Sequence, residues 1–177
     1  MILCKKEIKD LLQKGLIRKS KSLIACFSFY VNKHAEIARG KPRLVVNYKP
    51  LNNLLDYDAY PLPNPSTILA QISRSKIFSK FDLKSGFWQV GIKESDKWKT
   101  AFSVLEGHFE WNIMPFGLIN SPSAFQRIMD ETFEGMEDFL KKYIDDILVH
   151  SEDILAHIKH LKLFLQRVKE KGIVLSE

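Results

Sequence analysis

The chain of 177 residues has only two cysteines, and no apolar run approaches the roughly 18 residues of a membrane-spanning helix. No membrane span is therefore expected. The opening MILCKKEIKD lacks the basic-then-apolar order of a secretory signal. Cys4 and Cys26 can be read as a pair or as the reduced thiols of a cytosolic chain, and neither has the neighbours of a zinc site. Internal repeats and low-complexity tracts are missing, which excludes solenoids and disordered linkers. What remains is 45% hydrophobic and 27% charged, the composition of one globular domain with a real core.

The charge that is present lies unevenly. Residues 1–50 carry 12 Lys and Arg against 3 Asp and Glu, a local +9, while the whole chain is +6, so residues 51–177 carry −3. Such asymmetry suits a polyanionic partner held near bound cations, and equally a solvated basic face with no ligand.

Periodicity predicts an α+β fold, with helices on an antiparallel sheet. KKEIKDLLQKGL reads as an amphipathic helix stopped near Gly15. SLIACFSFYV, RLVVNY, KIFSKFD, FWQVGI and TAFSVLEGHFEWNI read as strands. Asn64 and Pro65 open a short helix, and Ser121 and Pro122 open a longer one. KKYIDDILVH reads as a hairpin with Asp145 and Asp146 at its two-residue turn. A last helix presents Ile154, Ile158, Leu161, Leu165 and Val168 as its apolar stripe and stops at Gly172.

Asp is a common turn residue, so the Asp145–Asp146 pair by itself needs no function. Asp82, however, ends another strand-like run, FSKFD. If the two elements are neighbours in one sheet, three carboxylates converge and need cations among them. Hard oxygen ligands favour Mg²⁺, and paired Mg²⁺ ions roughly 3.5–4 Å apart serve phosphoryl transfer.

RLVVNYKPLN, FSKFDLKSGFWQV, MPFGLINSPSAFQ and YIDDILV, in that order, resemble the successive blocks of reverse transcriptases over nearly the whole chain. FWQV and GHFEWNIMPFGL are most similar to plant pararetroviruses of the caulimovirus and badnavirus types, followed by gypsy-type retrotransposons. The resemblance implies a right-hand polymerase fold lacking the thumb. Fingers are expected over about 1–57 and 90–120, and palm over about 58–89 and 121–177. Thumb and ribonuclease H would be further parts of a polyprotein.

It also implies roles. Asp82, Asp145 and Asp146 would be catalytic and, with the Leu83 carbonyl, would bind two Mg²⁺, with Mn²⁺ as a substitute. Arg43, Leu83, Phe87, Phe116 and Gly117 would meet the deoxynucleoside triphosphate, Phe87 as a gate against the ribose 2′-hydroxyl. Asn52, Asn120, Ser121, Pro122 and Tyr143 would line an RNA or DNA template with its primer. Lys33, Arg39 and Lys41 compete for a second triphosphate contact. SKSLIACFSF lacks the Ser-Pro pairs common in the family, whereas Phe116 is the residue usual in gypsy and pararetroviral members. The implied setting is intracellular, in host cytoplasm or a virus-like particle.

Plainer roles are assigned elsewhere. Trp88 rather than Phe87 is expected in the core, His157 and His160 on a polar helix face, and Gln126 and Arg127 on a helix surface or in packing. Trp98 and Trp111 are expected to be buried. The rival readings of function are an inactive nucleic-acid-binding remnant and, more weakly, a Mg²⁺-dependent nuclease.

Overall fold

The computed structural model describes residues 2–31 and 43–177. The chain separates into two compact units, Met1–Tyr57 with Val90–Ser121, and Asp58–Gln89 with Pro122–Glu177.

The first unit is built on a five-stranded sheet. Its strands are β1 (Ile17–Lys19), β2 (Cys26–Val31), β3 (Arg43–Val46), β5 (Phe102–Val104) and β6 (Gly107–Trp111), in the order β1-β6-β5-β2-β3. All neighbours are antiparallel except β2 and β5. One face is apolar, because alternate residues of each strand share a side. Ile17, Phe102, Phe109 and Trp111 are buried there, with the Phe102 ring 5.7 Å from Trp111 and 6.1 Å from Phe109. Each such side chain contributes about 1.5–3 kcal/mol by leaving water. Helix α1 (Ile2–Gln13) buries Ile8 and Leu11, and a 3₁₀ segment covers Glu94–Thr100. The short α2 (Lys49–Asn52) follows Tyr48, whose buried hydroxyl donates to the Thr100 carbonyl at 2.8 Å. Both cysteines are free thiols, Cys4 buried and Cys26 partly so.

The second unit carries β4 (Ile77–Asp82), β7 (Leu140–Tyr143) and β8 (Asp146–Ser151) in the antiparallel order β4-β8-β7. Its helices are α3 (Pro65–Gln71), α4 (Ser121–Thr132) and α5 (Ile154–Lys171), α4 opening on the last residue assigned to the first unit. The Asn64 side chain accepts from the Ser66 N–H at 2.9 Å and so caps α3, as its sequence predicts. Gly172 ends α5 in the left-handed region, φ 67°. Phe125, Met129 and Phe133 of α4 and Phe164 of α5 fill the core, the last ring lying 4.7 Å from Phe81 and 5.6 Å from Phe133.

Two expectations are corrected here. FWQ is not strand but a 3₁₀ turn, Gly86–Gln89, so strand alternation does not divide Phe87 from Trp88, and Phe87 is the buried ring. The inward stripe of α5 also differs. Ile154, Ile158 and Leu165 are exposed, while His157, Phe164 and Val168 are buried. The true stripe contains a polar residue, so an apolar-only reading rotated the helix.

His157 sits inward because it is fully partnered. Its Nε2 meets Ser79 Oγ and its Nδ1 meets Ser151 Oγ, both at 2.9 Å. Ser151 Oγ also meets His160 Nδ1 at 2.8 Å, and His160 stacks on Phe139 at 4.2 Å. His150 lies nearby with Ser75 Oγ on its Nδ1 at 2.8 Å, and its buried Nε2 has no hydrogen-bond partner among the described residues. Burial pushes the His150 pKa down, helped by Lys141 and the imidazoles of His160 and His157. Below the ordinary histidine value of about 6.5 the unfolded chain takes up a proton that folded His150 resists, so stability is lost as pH falls through that window. Thermal melts from about pH 7 to about pH 5 should therefore show a steeper loss for wild type than for His150→Gln. Parallel curves would remove His150 as the cause.

Candidate active site

The site in the second unit begins with a register. Across the β4–β8 ladder Asp82 pairs directly with Asp146, and across β7–β8 Tyr143 pairs with the same Asp146. The hairpin loop is therefore Ile144–Asp145, with Asp146 already in strand, one residue earlier than the turn expected from sequence. Ile144 takes φ 54°, the positive value that a two-residue hairpin of this kind needs at its first loop position. A β-branched residue there is strained, so something else must hold the turn.

That hold comes from Gln126 of α4, which is fully buried. Its Oε1 accepts the Ile144 N–H at 2.9 Å, and its Nε2 donates to Asp130 Oδ1 at 3.1 Å. Asp130 also receives Lys142 Nζ at 3.1 Å and the Tyr60 hydroxyl at 2.8 Å. Because Asp130 only accepts, the Gln126 amide is oriented with its oxygen toward the turn. The sequence left Gln126 to a helix surface or to packing, and its full burial rules out the surface. The available signal was a glutamine between Phe125 and Met129 on the apolar face of a helix, where a buried amide must find partners. Arg127 is held instead by Asp58, at 2.8 and 2.9 Å, with Tyr60 beneath it.

Asp145 is the most constrained of the three carboxylates. Its backbone carbonyl accepts from the Leu83 N–H at 3.2 Å. A Cβ built on Gly86 would lie 2.1 Å from Asp145 Oδ1 and 3.2 Å from Phe125, so only glycine leaves room for this side chain. Oδ1 is buried and no hydrogen bond to it is formed among the described residues. Burial pushes the Asp145 carboxyl up from the ordinary aspartate value, and the charges of Asp82 and Asp146 push it the same way. Three like charges thus meet at the end of one sheet. Asp82 is relieved by Ser176, whose Oγ donates to Oδ2 at 2.8 Å, and Asp146 by Lys80 at 2.9 Å. With those partners in place, no three His, Cys, Asp or Glu side chains among the described residues close on one metal position. The donor set nonetheless suits a hard cation: hard carboxylate oxygens, one of them buried and unsatisfied.

The other predicted residues of this unit lie on the same elements. Leu83 is buried beyond Asp82, and Phe87 packs edge-on against Phe125 at 5.1 Å. Tyr143 is exposed beside the turn, and Pro122 is in the first turn of α4. Trp88 is partly exposed.

The first unit assembles a separate group. Asn52 Nδ2 donates to the Gly117 carbonyl at 2.9 Å, and its Oδ1 accepts the Ile119 N–H at 3.0 Å, so one side chain clamps the loop that carries Phe116. Phe116 is exposed, Asn120 Nδ2 donates to the Asp56 carbonyl at 2.8 Å, and buried Ser121 donates to the Pro115 carbonyl at 3.3 Å. Arg43 is placed by its backbone opposite Val31. Its side chain lies outside what the structure describes, as do Lys33, Arg39 and Lys41.

Residues 31–177 match the family model described as reverse transcriptase (RNA-dependent DNA polymerase). The chain is 49% identical over 171 residues to the genome polyprotein of Petunia vein clearing virus, covering 97% of this chain and 8% of that protein. It is 48% identical over 172 residues to the enzymatic polyprotein of Cauliflower mosaic virus, covering 97% of this chain and 25% of that protein. The chain thus spans a quarter or less of these relatives. Among solved structures it superposes on the foamy viral protease-reverse transcriptase in complex with an RNA/DNA hybrid. There the TM-score is 0.84 at 27% identity, over 96% of this chain and 22% of that one. The same foamy viral protein with double-stranded DNA gives a TM-score of 0.85 at 28% identity, over 98% and 35%. The mixed α+β architecture therefore matches that of solved reverse transcriptases, the plant pararetroviral likeness seen in FWQV and GHFEWNIMPFGL holds, and the chain belongs to the reverse transcriptase (RNA-dependent DNA polymerase) family.

Proposed function

We propose that this chain performs template-primed nucleotidyl transfer, copying RNA and also DNA, with the first unit as fingers and the second as palm. The observation that carries the reading is the meeting of Asp82, Asp145 and Asp146 at one sheet end, with a buried, unsatisfied oxygen on Asp145. Asp82, Asp145, Asp146 and the Leu83 carbonyl would hold Mg²⁺, which when bound favours ionisation of the primer 3′-hydroxyl and neutralises charge on the departing pyrophosphate. To serve as ligands, Asp82 and Asp146 give up Ser176 and Lys80.

The protein's own part is positioning. Gln126 and Gly86 set where Asp145 stands. Phe87 is braced by Phe125, which suits a ring that excludes a 2′-hydroxyl. Tyr143, exposed beside the turn, suits the primer end, and Phe116 on its Asn52-clamped loop suits the nucleotide and template. Arg43 is assigned to the triphosphate. The partners implied are an RNA or DNA template with primer and deoxynucleoside triphosphates. Since sequence is copied by base pairing, the protein has no need to read bases.

Primer extension on an RNA template with Mg²⁺ tests this. Wild type should extend, chelation should abolish extension, and Asp145→Asn should lower it by roughly 10²–10³-fold or more. The same variant should be more stable than wild type at neutral pH. A carboxyl whose folded pKa is raised costs stability once pH rises through that value, and asparagine removes the cost. The advantage should vanish in acid. A wild type that binds primer–template without extending it would instead identify a binding remnant, and shortening of the primer a nuclease.

Gly86→Ala should also lose extension while keeping its far-ultraviolet circular dichroism, because the new methyl displaces Asp145. Retained activity would show that the close approach is unimportant. Gln126→Ala leaves the Ile144 N–H unpaired and should cost about 1–3 kcal/mol in denaturant unfolding. Its extension rate should fall at saturating nucleotide, and an unchanged rate would limit Gln126 to stability.

A further inference from the structure

The FWQV run holds one residue that the chemistry above does not use, Gln89. It ends the 3₁₀ turn Gly86–Gln89 and is exposed, yet its amide is engaged at both ends. Nε2 donates to the Lys84 and Val174 carbonyls, each at 2.8 Å, and Oε1 accepts the Val174 N–H at 2.9 Å. Carbonyls only accept, so the partners fix which way the amide is turned. One side chain thus holds both backbone groups of Val174, as a neighbouring strand would.

This clamp seats residues 173–176 along the outer edge of β4. The Lys84 N–H donates to the Val174 carbonyl at 3.0 Å, the Ser176 N–H donates to the Asp82 carbonyl at 2.8 Å, and Leu83 pairs antiparallel with Leu175. One register position on, Ser176 faces Asp82, which faces Asp146 across its other edge. Directly opposed residues share a face of a sheet, so Asp146, Asp82 and Ser176 form one row. The Ser176 hydroxyl donates to Asp82 Oδ2 at 2.8 Å and answers the charge of the neighbouring acids. A hydrogen bond to a carboxylate is a strong one, and a divalent cation seeks the same oxygen.

We infer that Ser176, seated by Gln89, is a latch on Asp82 that competes with the divalent cation and so sets how tightly the carboxylates take it up. The inference rests on the metal-site reading of those carboxylates and makes Gln89 and Ser176 positioning residues, not ligands. A clamp that only tied down the sheet edge would change stability and leave cation affinity alone.

The test is Mn²⁺ binding to the whole chain, followed by loss of the free ion's electron paramagnetic resonance signal. Ser176→Ala keeps the backbone pairing and should bind Mn²⁺ about tenfold more tightly than wild type, the worth of one hydrogen bond to a charged group. Ser176→Thr keeps the hydroxyl and should match wild type. Gln89→Ala should tighten binding as well, and should add nothing in the Ser176→Ala background, because both act through one contact. Amide hydrogen exchange tests the clamp itself: the Lys84 and Ser176 N–H groups should exchange faster in Gln89→Ala than in Ser176→Ala. In primer extension, Ser176→Ala should lower the half-saturating Mg²⁺ concentration by a similar factor.

Unchanged or weaker Mn²⁺ binding by Ser176→Ala would overturn the latch, and so would additive effects of the two substitutions. If Asp82→Asn abolishes Mn²⁺ binding while Ser176→Ala leaves it unmoved, the latch fails and the metal reading stands. No Mn²⁺ binding by wild type or variants would remove both. Failed primer extension with the Mn²⁺ shifts intact would remove the polymerase reading and keep the latch.

Discussion

The structure around the site depends on one electrostatic constraint, the pairing of Asp82 with Asp146 across two strands while Asp145 occupies the turn between Tyr143 and Asp146. A β-ladder puts facing residues about 4.5–5.5 Å apart, so two negative charges are brought together by backbone hydrogen bonds that take no account of them. The protein answers with Lys80 on Asp146 and Ser176 on Asp82, and leaves Asp145 with a buried oxygen unmatched. The conflict is local, and the sheet that enforces it is anchored by fully buried Ile147 and Val149. That is the arrangement expected where stability is given up for chemistry.

Holding the turn requires a second, independent device. Ile144 lies in a backbone region that disfavours branched side chains, and the strain persists because Gln126 takes its N–H. Gln126 is in turn tied to Asp130, Lys142 and Tyr60, all within one unit. Such a network is worth most when every member is satisfied, since a half-satisfied one in a dry interior is costly. Helix α4 therefore does two jobs along one face: Phe125, Met129 and Phe133 supply burial, and Gln126 supplies orientation.

The serine and histidine network under the same sheet shows a related economy. Ser151 ends β8 and partners two imidazoles from α5, joining strand and helix by hydrogen bonds where the apolar stripe is interrupted. That interruption is why α5 is rotated from its apolar reading. Leu165 and Ile158 look like core by hydropathy, yet Phe164 and His157 occupy it, because a large ring fills more volume and a histidine with both nitrogens paired loses little on burial.

Much of the candidate site's local structure was legible in the residues. Asp82 at a strand end, the Tyr-Ile-Asp-Asp hairpin, the Asn64 cap and the Gly172 stop are local features, and local features survive folding. What the sequence by itself determined was most of the strands, the FWQ run excepted, and the family likeness. Tertiary structure alone decided that Asp82 faces Asp146, that Gly86 makes room for Asp145, that Gln126 is buried, that Phe87 rather than Trp88 is the buried ring, and that Trp98 stays in solvent. The physical reason is that backbone preference acts over a few neighbours, whereas charge repulsion, close approach and burial depend on residues distant in the chain.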